Sequence, residues 1–254
     1  MKWLRFRHGF EVGFGTLEGD RVRLHTGNLF DDPRRTGDTL AVAAIEWLPP
    51  CVPGKIIGLW NNFRAVAEKN GWATPAEPLY FLKSPGSAAA HGQVIAVPAT
   101  YDGRVVYEGE LAVVIGKRAR AVTPAEAPAH IFGYACANDL TALELLNRDP
   151  SFPQWTRSKS FDGFGAFGPV IETDFDVTTA RLRTLVDGRE RQNYALSDMF
   201  FSPAELVSRI SMDVTLEPGD LIFCGTSLGV LPMKAGSAVE VVVDGIGTLA
   251  NVYG

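Results

Sequence analysis

At 254 residues, with 46% hydrophobic and 21% charged residues, the chain can bury a large core, as one domain or as a large domain beside a small one, and is not a disordered polypeptide. A formal net charge of −5 and the lack of any dense Lys/Arg block exclude an obvious nucleic-acid surface. The N-terminus, Met1-Lys2-Trp3-Leu4-Arg5-Phe6-Arg7-His8, alternates charged and apolar residues, so neither a signal peptide nor a membrane anchor is expected.

Paired strands are predicted from Trp3 to Arg7, Glu11 to Thr16 and Arg21 to His25, with Gly9, Gly15 and Gly19-Asp20 as turns. The polar stretch 31–37 reads as a break. Pro49-Pro50 and Pro53-Gly54 break the chain again, and a boundary near residue 50 divides a small N-terminal β domain (1–50) from a main body (51–254). The body opens with a buried strand, Lys55 to Trp60. A helix then begins at Asn61 or Asn62 and runs to about Asn70, stopped by Gly71. Strands are predicted near Tyr80 to Lys83, Gln93 to Val97 and Glu110 to Gly116. Helices are predicted from Thr123-Pro124, from about Thr141 to Asn147, and from Ser202-Pro203 to about Ile210. From Leu216 the chain reads as strands, with a hairpin at Asp244-Gly245. The fold class is α+β with β dominating, since helices are too sparse for a doubly wound sheet. Cys51, Cys136 and Cys224, odd in number and set in apolar runs, are expected to be reduced core thiols of a cytoplasmic protein.

The sequence Tyr107-Glu108-Gly109-Glu110-Leu111 carries the chemistry. Residues i and i+2 of a strand share a face, so Glu108 and Glu110 converge, and two carboxylates this close resist ionising together without a cation or proton between them. Alone, the pair is a solvated strand end. A third acid, Asp139, closes the strand-like run Gly133-Tyr134-Ala135-Cys136-Ala137-Asn138. Three carboxylates without His or Cys describe an all-oxygen site for Mg²⁺, Mn²⁺ or Ca²⁺ rather than zinc. Lys159, in the segment 154–165, could polarise a substrate carbonyl beside that metal. The glycine-bracketed turn Cys224-Gly225-Thr226-Ser227-Leu228-Gly229 could offer N–H groups and a hydroxyl to an anion.

In order and spacing these segments resemble the fumarylacetoacetate hydrolase family over roughly residues 50 to 254. The resemblance is carried by Lys55-Ile56-Ile57-Gly58, Asn62-Phe63-Arg64, Phe81-Leu82-Lys83-Ser84-Pro85, the two glutamates, Asn138-Asp139, Lys159-Ser160-Phe161-Asp162, Gly168-Pro169, Ser197-Asp198-Met199, Glu217-Pro218-Gly219-Asp220 and Gly225-Thr226. It implies a rolled mixed β-sheet around one divalent metal, Mg²⁺ or Mn²⁺, bound by Glu108, Glu110 and Asp139, in a homodimer. It also implies a catalytic Lys159 and a substrate carboxylate near Thr226, with Arg64, Lys83 and Arg157 as further candidates for binding substrate. The implied activity is C–C hydrolysis or enol–keto isomerisation of a 2-oxo or 2,4-dioxo acid from aromatic-compound breakdown. Decarboxylation of an oxaloacetate-type acid, or metal binding without turnover, are the alternatives.

The chain departs from that pattern at several places. Val66 stands where many members carry a histidine that activates water, which leaves the nearby Glu68, or His91 in a loop expected near the site entrance, as candidate bases. Leu143, Leu146 and the pair Ala195-Leu196 replace residues that are usually polar. Such replacements suit a substrate with a less polar tail, or a site that has lost activity.

Overall fold

The computed structural model describes all residues 1–254. Four antiparallel strands open the chain: β1 (Lys2–His8), β2 (Glu11–Glu18), β3 (Arg21–Asn28) and β4 (Asp31–Ala41). The polar stretch expected as a break is the first half of β4, paired with β3 through His25↔Arg35 and Thr26↔Arg34. As an edge strand it needs one ladder and no buried face, so its charges and Pro33 are tolerated there.

The body comprises β5 (Ile56–Trp60), α1 (Arg64–Asn70), β6 (Leu79–Lys83), β7 (Gly109–Ile115), β8 (Ile131–Asp139), α2 (Leu143–Leu146), α3 (Trp155–Lys159) and β9 (Gly165–Glu172). Then follow β10 (Arg181–Val186), β11 (Arg189–Ala195), α4 (Pro203–Asp213), β12 (Leu221–Phe223), β13 (Ser237–Val243) and β14 (Gly247–Tyr253). The large sheet runs β4-β3-β2-β1-β9-β8-β7-β12-β5-β6, with β12 and β5 parallel. β1 pairs with β9 at Lys2↔Glu172 and Trp3↔Ile171, so residues 1–50 prolong the body's own sheet. A second sheet, ordered β11-β10-β13-β14 and finished by Val94–Ile95, packs over β7 and β8.

Every residue of β7 is buried. Alternation sends Leu111, Val113 and Ile115 into the larger apolar core, on the side of the second sheet, and Ala112 and Val114 into a smaller one. The hairpin β10–β11 was not anticipated, although its turn, Asp187-Gly188, is a strong hairpin dipeptide and both residues take positive φ, 51° and 72°. Thr123 and Glu126 make the reciprocal cap bonds expected of a helix start, yet only a turn and a short 3₁₀ segment, Ala127–His130, follow. Pro128 has no N–H with which to continue an α-helix. α4 is the better-formed case. Ser202 and Glu205 form a capping box, Pro203 opens the helix, and Leu206, Val207 and Ile210 are buried.

The three cysteines are unpaired and buried, and burial raises the thiols of Cys51 and Cys136 to about 12. None should react with a thiol-specific disulfide reagent at pH 8 until the protein is unfolded, when all three should. Rapid labelling of the native protein at any one of them would place that residue at the surface.

Candidate metal centre and substrate cavity

Directly opposed residues of an antiparallel ladder lie on one face. Glu110 on β7 opposes Ala137 on β8, and Asp139 is two residues beyond, so Glu108, Glu110 and Asp139 project together. The Asp139 amide donates to the Glu108 carbonyl at 2.9 Å and fixes the register where the strands end. One carboxylate oxygen of each acid lies within 4.8 Å of those of the other two. Glu110 and Asp139 are wholly buried, and Glu108 is reached from outside. Burial, then repulsion from Asp139 and Glu108, pushes the Glu110 carboxyl well above the usual carboxylate range.

Two ammonium groups stand against the triad. Lys159 Nζ donates to Glu108 Oε2 at 2.7 Å and to Asp139 Oδ2 at 2.8 Å. Lys83 Nζ donates to Asp139 Oδ1 at 2.5 Å and to the Lys159 carbonyl. Burial opposes both charges. For Lys159 the pull of Asp139, Glu108 and Glu110 outweighs it and holds the ammonium above its ordinary range. For Lys83 burial prevails over the attraction of Asp139, and repulsion from Lys159 adds to it.

Three carboxylates facing two ammonium groups leave negative charge unbalanced in a buried site. Glu110 Oε2 accepts from the Gly225 amide at 2.7 Å, while its Oε1 is buried without a partner. An orphaned carboxylate oxygen, a deficit of positive charge and a donor set made only of oxygens fit a hard divalent cation.

The second sheet holds the acidic pair from behind. Gln192 Oε1 accepts from the Gly109 amide at 3.0 Å, and its Nε2 donates to Thr226 Oγ1 at 2.8 Å. Tyr194 and Thr226 both donate to the Gly109 carbonyl, at 2.6 and 2.9 Å. Residue 109 must be glycine because a Cβ there would lie 2.0 Å from Thr184 Oγ1. Gln192 therefore ties the Glu-Gly-Glu segment to the turn after β12.

A cavity of about 360 Å³ opens on Glu108 and Lys159. Its walls are largely apolar, with Trp60, Val66 and Trp72 on one side and Leu143, Leu146 and Trp155 on another. Asn61 and Ser227 also line it, and Asn61 Oδ1 and Ser227 Oγ are buried without partners. Asn61 sits at φ 56°, a region that asparagine tolerates better than most residues. Asn62 bonds the Cys224 carbonyl at 2.9 Å and the Phe201 amide at 2.9 Å, so the end of β5, the turn after β12 and the chain before α4 meet at this wall.

The residues expected at the site separate into two groups. Lys159 and Thr226 line the cavity, but the Thr226 hydroxyl proton is engaged by the Gly109 carbonyl, and Ser227 carries the free hydroxyl instead. Lys83 is buried beneath Asp139 and holds that acid and the end of α3, so it does not face substrate. Arg64 is turned to the Asp198 and Met199 carbonyls and lies over the Phe200 ring, pinning α1. Arg157 bonds Gln154 at 3.4 Å and lines a separate surface depression.

Glu68 is exposed and absent from the cavity wall, to which its neighbours Lys69 and Asn70 contribute. His91 accepts from the Ala250 amide at 3.1 Å and packs edge-on to Trp47, in another depression. Gln192, Asn61 and Ser227 were missed. A buried amide three residues before the end of a polar-looking strand has no local sequence signal, and the roles of Asn61 and Ser227 depend on a wall made by distant segments.

Replacing Gln192 with leucine strands the Gly109 N–H and removes the donor to Thr226, and about 1–3 kcal/mol is expected for each buried polar group left unpaired. Denaturant unfolding of Gln192→Leu should show a loss of that order. An unchanged midpoint would mean that the amide does not hold the acidic strand.

Residues 55–253 match the family described as fumarylacetoacetate (FAA) hydrolase C-terminal, and residues 1–50 match one described as Rv2993c-like, N-terminal. The solved structure of 5-carboxymethyl-2-hydroxymuconate delta-isomerase from Mycobacterium smegmatis is similar with a TM-score of 0.92 at 35% identity, covering 100% of this chain and 99% of that one. That of 2-hydroxyhepta-2,4-diene-1,7-dioate isomerase from Mycobacterium marinum gives 0.91 at 34%, covering 100% and 98%. Oxaloacetate tautomerase YisK of Bacillus subtilis is 33% identical over 256 residues, 93% of this chain and 84% of its own length. Members of the matched family are isomerases, hydrolases and decarboxylases, and they commonly bind a divalent metal. On this match over most of its length, with the rolled mixed sheet and the acidic triad at its strand ends, the chain belongs to the fumarylacetoacetate hydrolase family.

Proposed function

We propose that the protein is a Mg²⁺- or Mn²⁺-dependent enzyme that interconverts the enol and keto forms of a 2-oxo acid. The observation that carries this reading is the make-up of the cavity wall. Glu108 is its only carboxylate, Lys159 meets Glu108 at the floor, and no histidine lines it. Hydrolysis needs a base within reach of water, and such assistance typically gives roughly 10²–10⁴-fold. Proton transfer beside a carbonyl needs chiefly the stabilisation of negative charge on oxygen. The names of the similar proteins, two isomerases and a tautomerase, point the same way.

Glu108, Glu110 and Asp139 would hold the cation, which when bound supplies Lewis-acid stabilisation of charge on the 2-oxo oxygen. Lys159 is held protonated by its carboxylate partners, so its Nζ serves as a fixed positive charge at the cavity floor, while the proton lost from the enol oxygen and the one gained at carbon exchange with water through the cavity mouth. Its ammonium lies 5.1 Å from the centre of the Phe81 ring, which limits where the side chain can swing. Apolar walls lower the local polarity and strengthen both electrostatic effects.

With Mg²⁺, purified protein should speed loss of the enol absorbance of phenylpyruvate, a 2-oxo acid with one carboxylate, well above the buffer rate, and should cleave acylpyruvates slowly if at all. Acylpyruvate cleavage faster than tautomerisation would overturn the reading. Lys159→Ala should abolish turnover while leaving the fold intact. Val66→His should raise acylpyruvate hydrolysis more than tautomerisation, since residue 66 lines the cavity.

Metal binding to the native state alone should raise stability by roughly 2.7 kcal/mol at a hundredfold excess over Kd. Melts in Mg²⁺ and in EDTA should therefore differ by several degrees, and Glu110→Ala should remove the difference. Identical wild-type melts would contradict the assignment.

A further inference from the structure

We infer that the cavity takes a 2-oxo acid whose only carboxylate sits at the triad end and whose tail is an uncharged alkyl or aryl group. This rests on the function proposed above and narrows its substrate class. Four large apolar side chains, each more than a third exposed, converge on this one opening: Trp60 at 38%, Trp72 at 39%, Leu143 at 38% and Leu228 at 37%. Such a cluster is costly in water and marks a place where something apolar binds.

The fold does not require these residues to be apolar. In α2 the buried residue is Leu145, and Leu143 and Leu146 turn to the cavity instead. In α1 the buried residue is Ala67, and Val66 faces the cavity. The Trp60 and Trp72 rings lie 4.8 Å apart at the mouth, and the stacked Phe81 and Trp155 rings, 4.9 Å apart, extend the apolar path toward Lys159.

Nothing along that path is built to neutralise a second carboxylate. Asn61 and Ser227 have unpartnered oxygens, but both are neutral and suit a hydroxyl or carbonyl on the tail. The guanidinium of Arg64 is engaged on backbone carbonyls, and that of Arg157 lies in the separate depression. Lys69 is the one other cation on the wall, and it is exposed on α1. A carboxylate drawn among tryptophan and leucine side chains would lose hydration without a buried partner.

The test uses the Mg²⁺-loaded protein and two oxamates, which keep the 2-oxo acid head but cannot react: N-hexyloxamate and N-(5-carboxypentyl)oxamate. Calorimetry should show the hexyl compound binding at least about tenfold more tightly, since burying its methylenes is favourable and burying the carboxylate is not. Leu146→Ala should weaken the hexyl compound while leaving oxamate itself unchanged, and Leu146→Arg should reverse the order of the pair. Equal binding of the two, or tighter binding of the carboxypentyl compound that is lost in Lys69→Met, would overturn the inference, the latter by making Lys69 the reader of a second carboxylate.

The two readings fail differently. Apolar preference in binding without turnover of any 2-oxo acid would leave this inference standing and remove the proposed activity. Preference for the carboxypentyl compound together with turnover would do the reverse. Binding of neither compound would remove both.

Discussion

Everything at this site depends on three carboxylates brought to the ends of two adjacent strands, where they would repel if nothing positive stood among them. β7 and β8 are antiparallel neighbours, and the ladder puts Glu108, Glu110 and Asp139 on one face with their oxygens within 4.8 Å. Lys159 spans Glu108 and Asp139, Lys83 supports Asp139 from below, and neither ammonium bonds Glu110. The balance falls short by one charge, and the shortfall is felt most at Glu110, whose carboxyl burial and its acidic neighbours push up and whose Oε1 has no partner. A divalent cation relieves all of this at once, which is why stability and chemistry are coupled in this protein.

The rest of the fold keeps that arrangement from relaxing. Repelling side chains would separate if their strands could move. The second sheet, through Gln192 and Tyr194, and Thr226 in the turn after β12 deny them that freedom, all three bonded to the peptide groups of Gly109. From the other side Lys83, at the end of β6, reaches beneath Asp139 to the carbonyl of Lys159. Rigidity behind the triad leaves its open side, toward α1 and α2, as the part that can vary. The apolar character of Val66, Leu143 and Leu146 is found on that side.

The parts legible in the sequence were those encoded by short-range rules. Alternation along a strand put Glu108 and Glu110 on one face. The Ser202–Glu205 box announced α4, and Gly71 ends α1 with φ 67°, as its position suggested. Edge strand β4 was misread because a strand with no buried face has no apolar pattern to detect. At the site, residue type pointed to Lys159 but misplaced Lys83, Arg64, Arg157 and Glu68. A charged side chain near a motif in sequence is free to turn elsewhere: backbone carbonyls claim Arg64, Asp139 claims Lys83, the Gln154 side chain takes Arg157, and Glu68 is exposed. Gln192 and Asn61 have no sequence signal, because their value arises from partners more than thirty residues away or from a backbone turn.

The most direct measurement is an anomalous-scattering map from crystals of the protein grown or soaked with Mn²⁺. The account requires one strong peak within bonding distance of Glu108, Glu110 and Asp139 together, at the floor of the cavity that Lys159 also lines. A map with no peak there, or with manganese elsewhere while Lys159 still bridges Glu108 and Asp139, would show that the ammonium groups alone satisfy the triad, and would contradict the account.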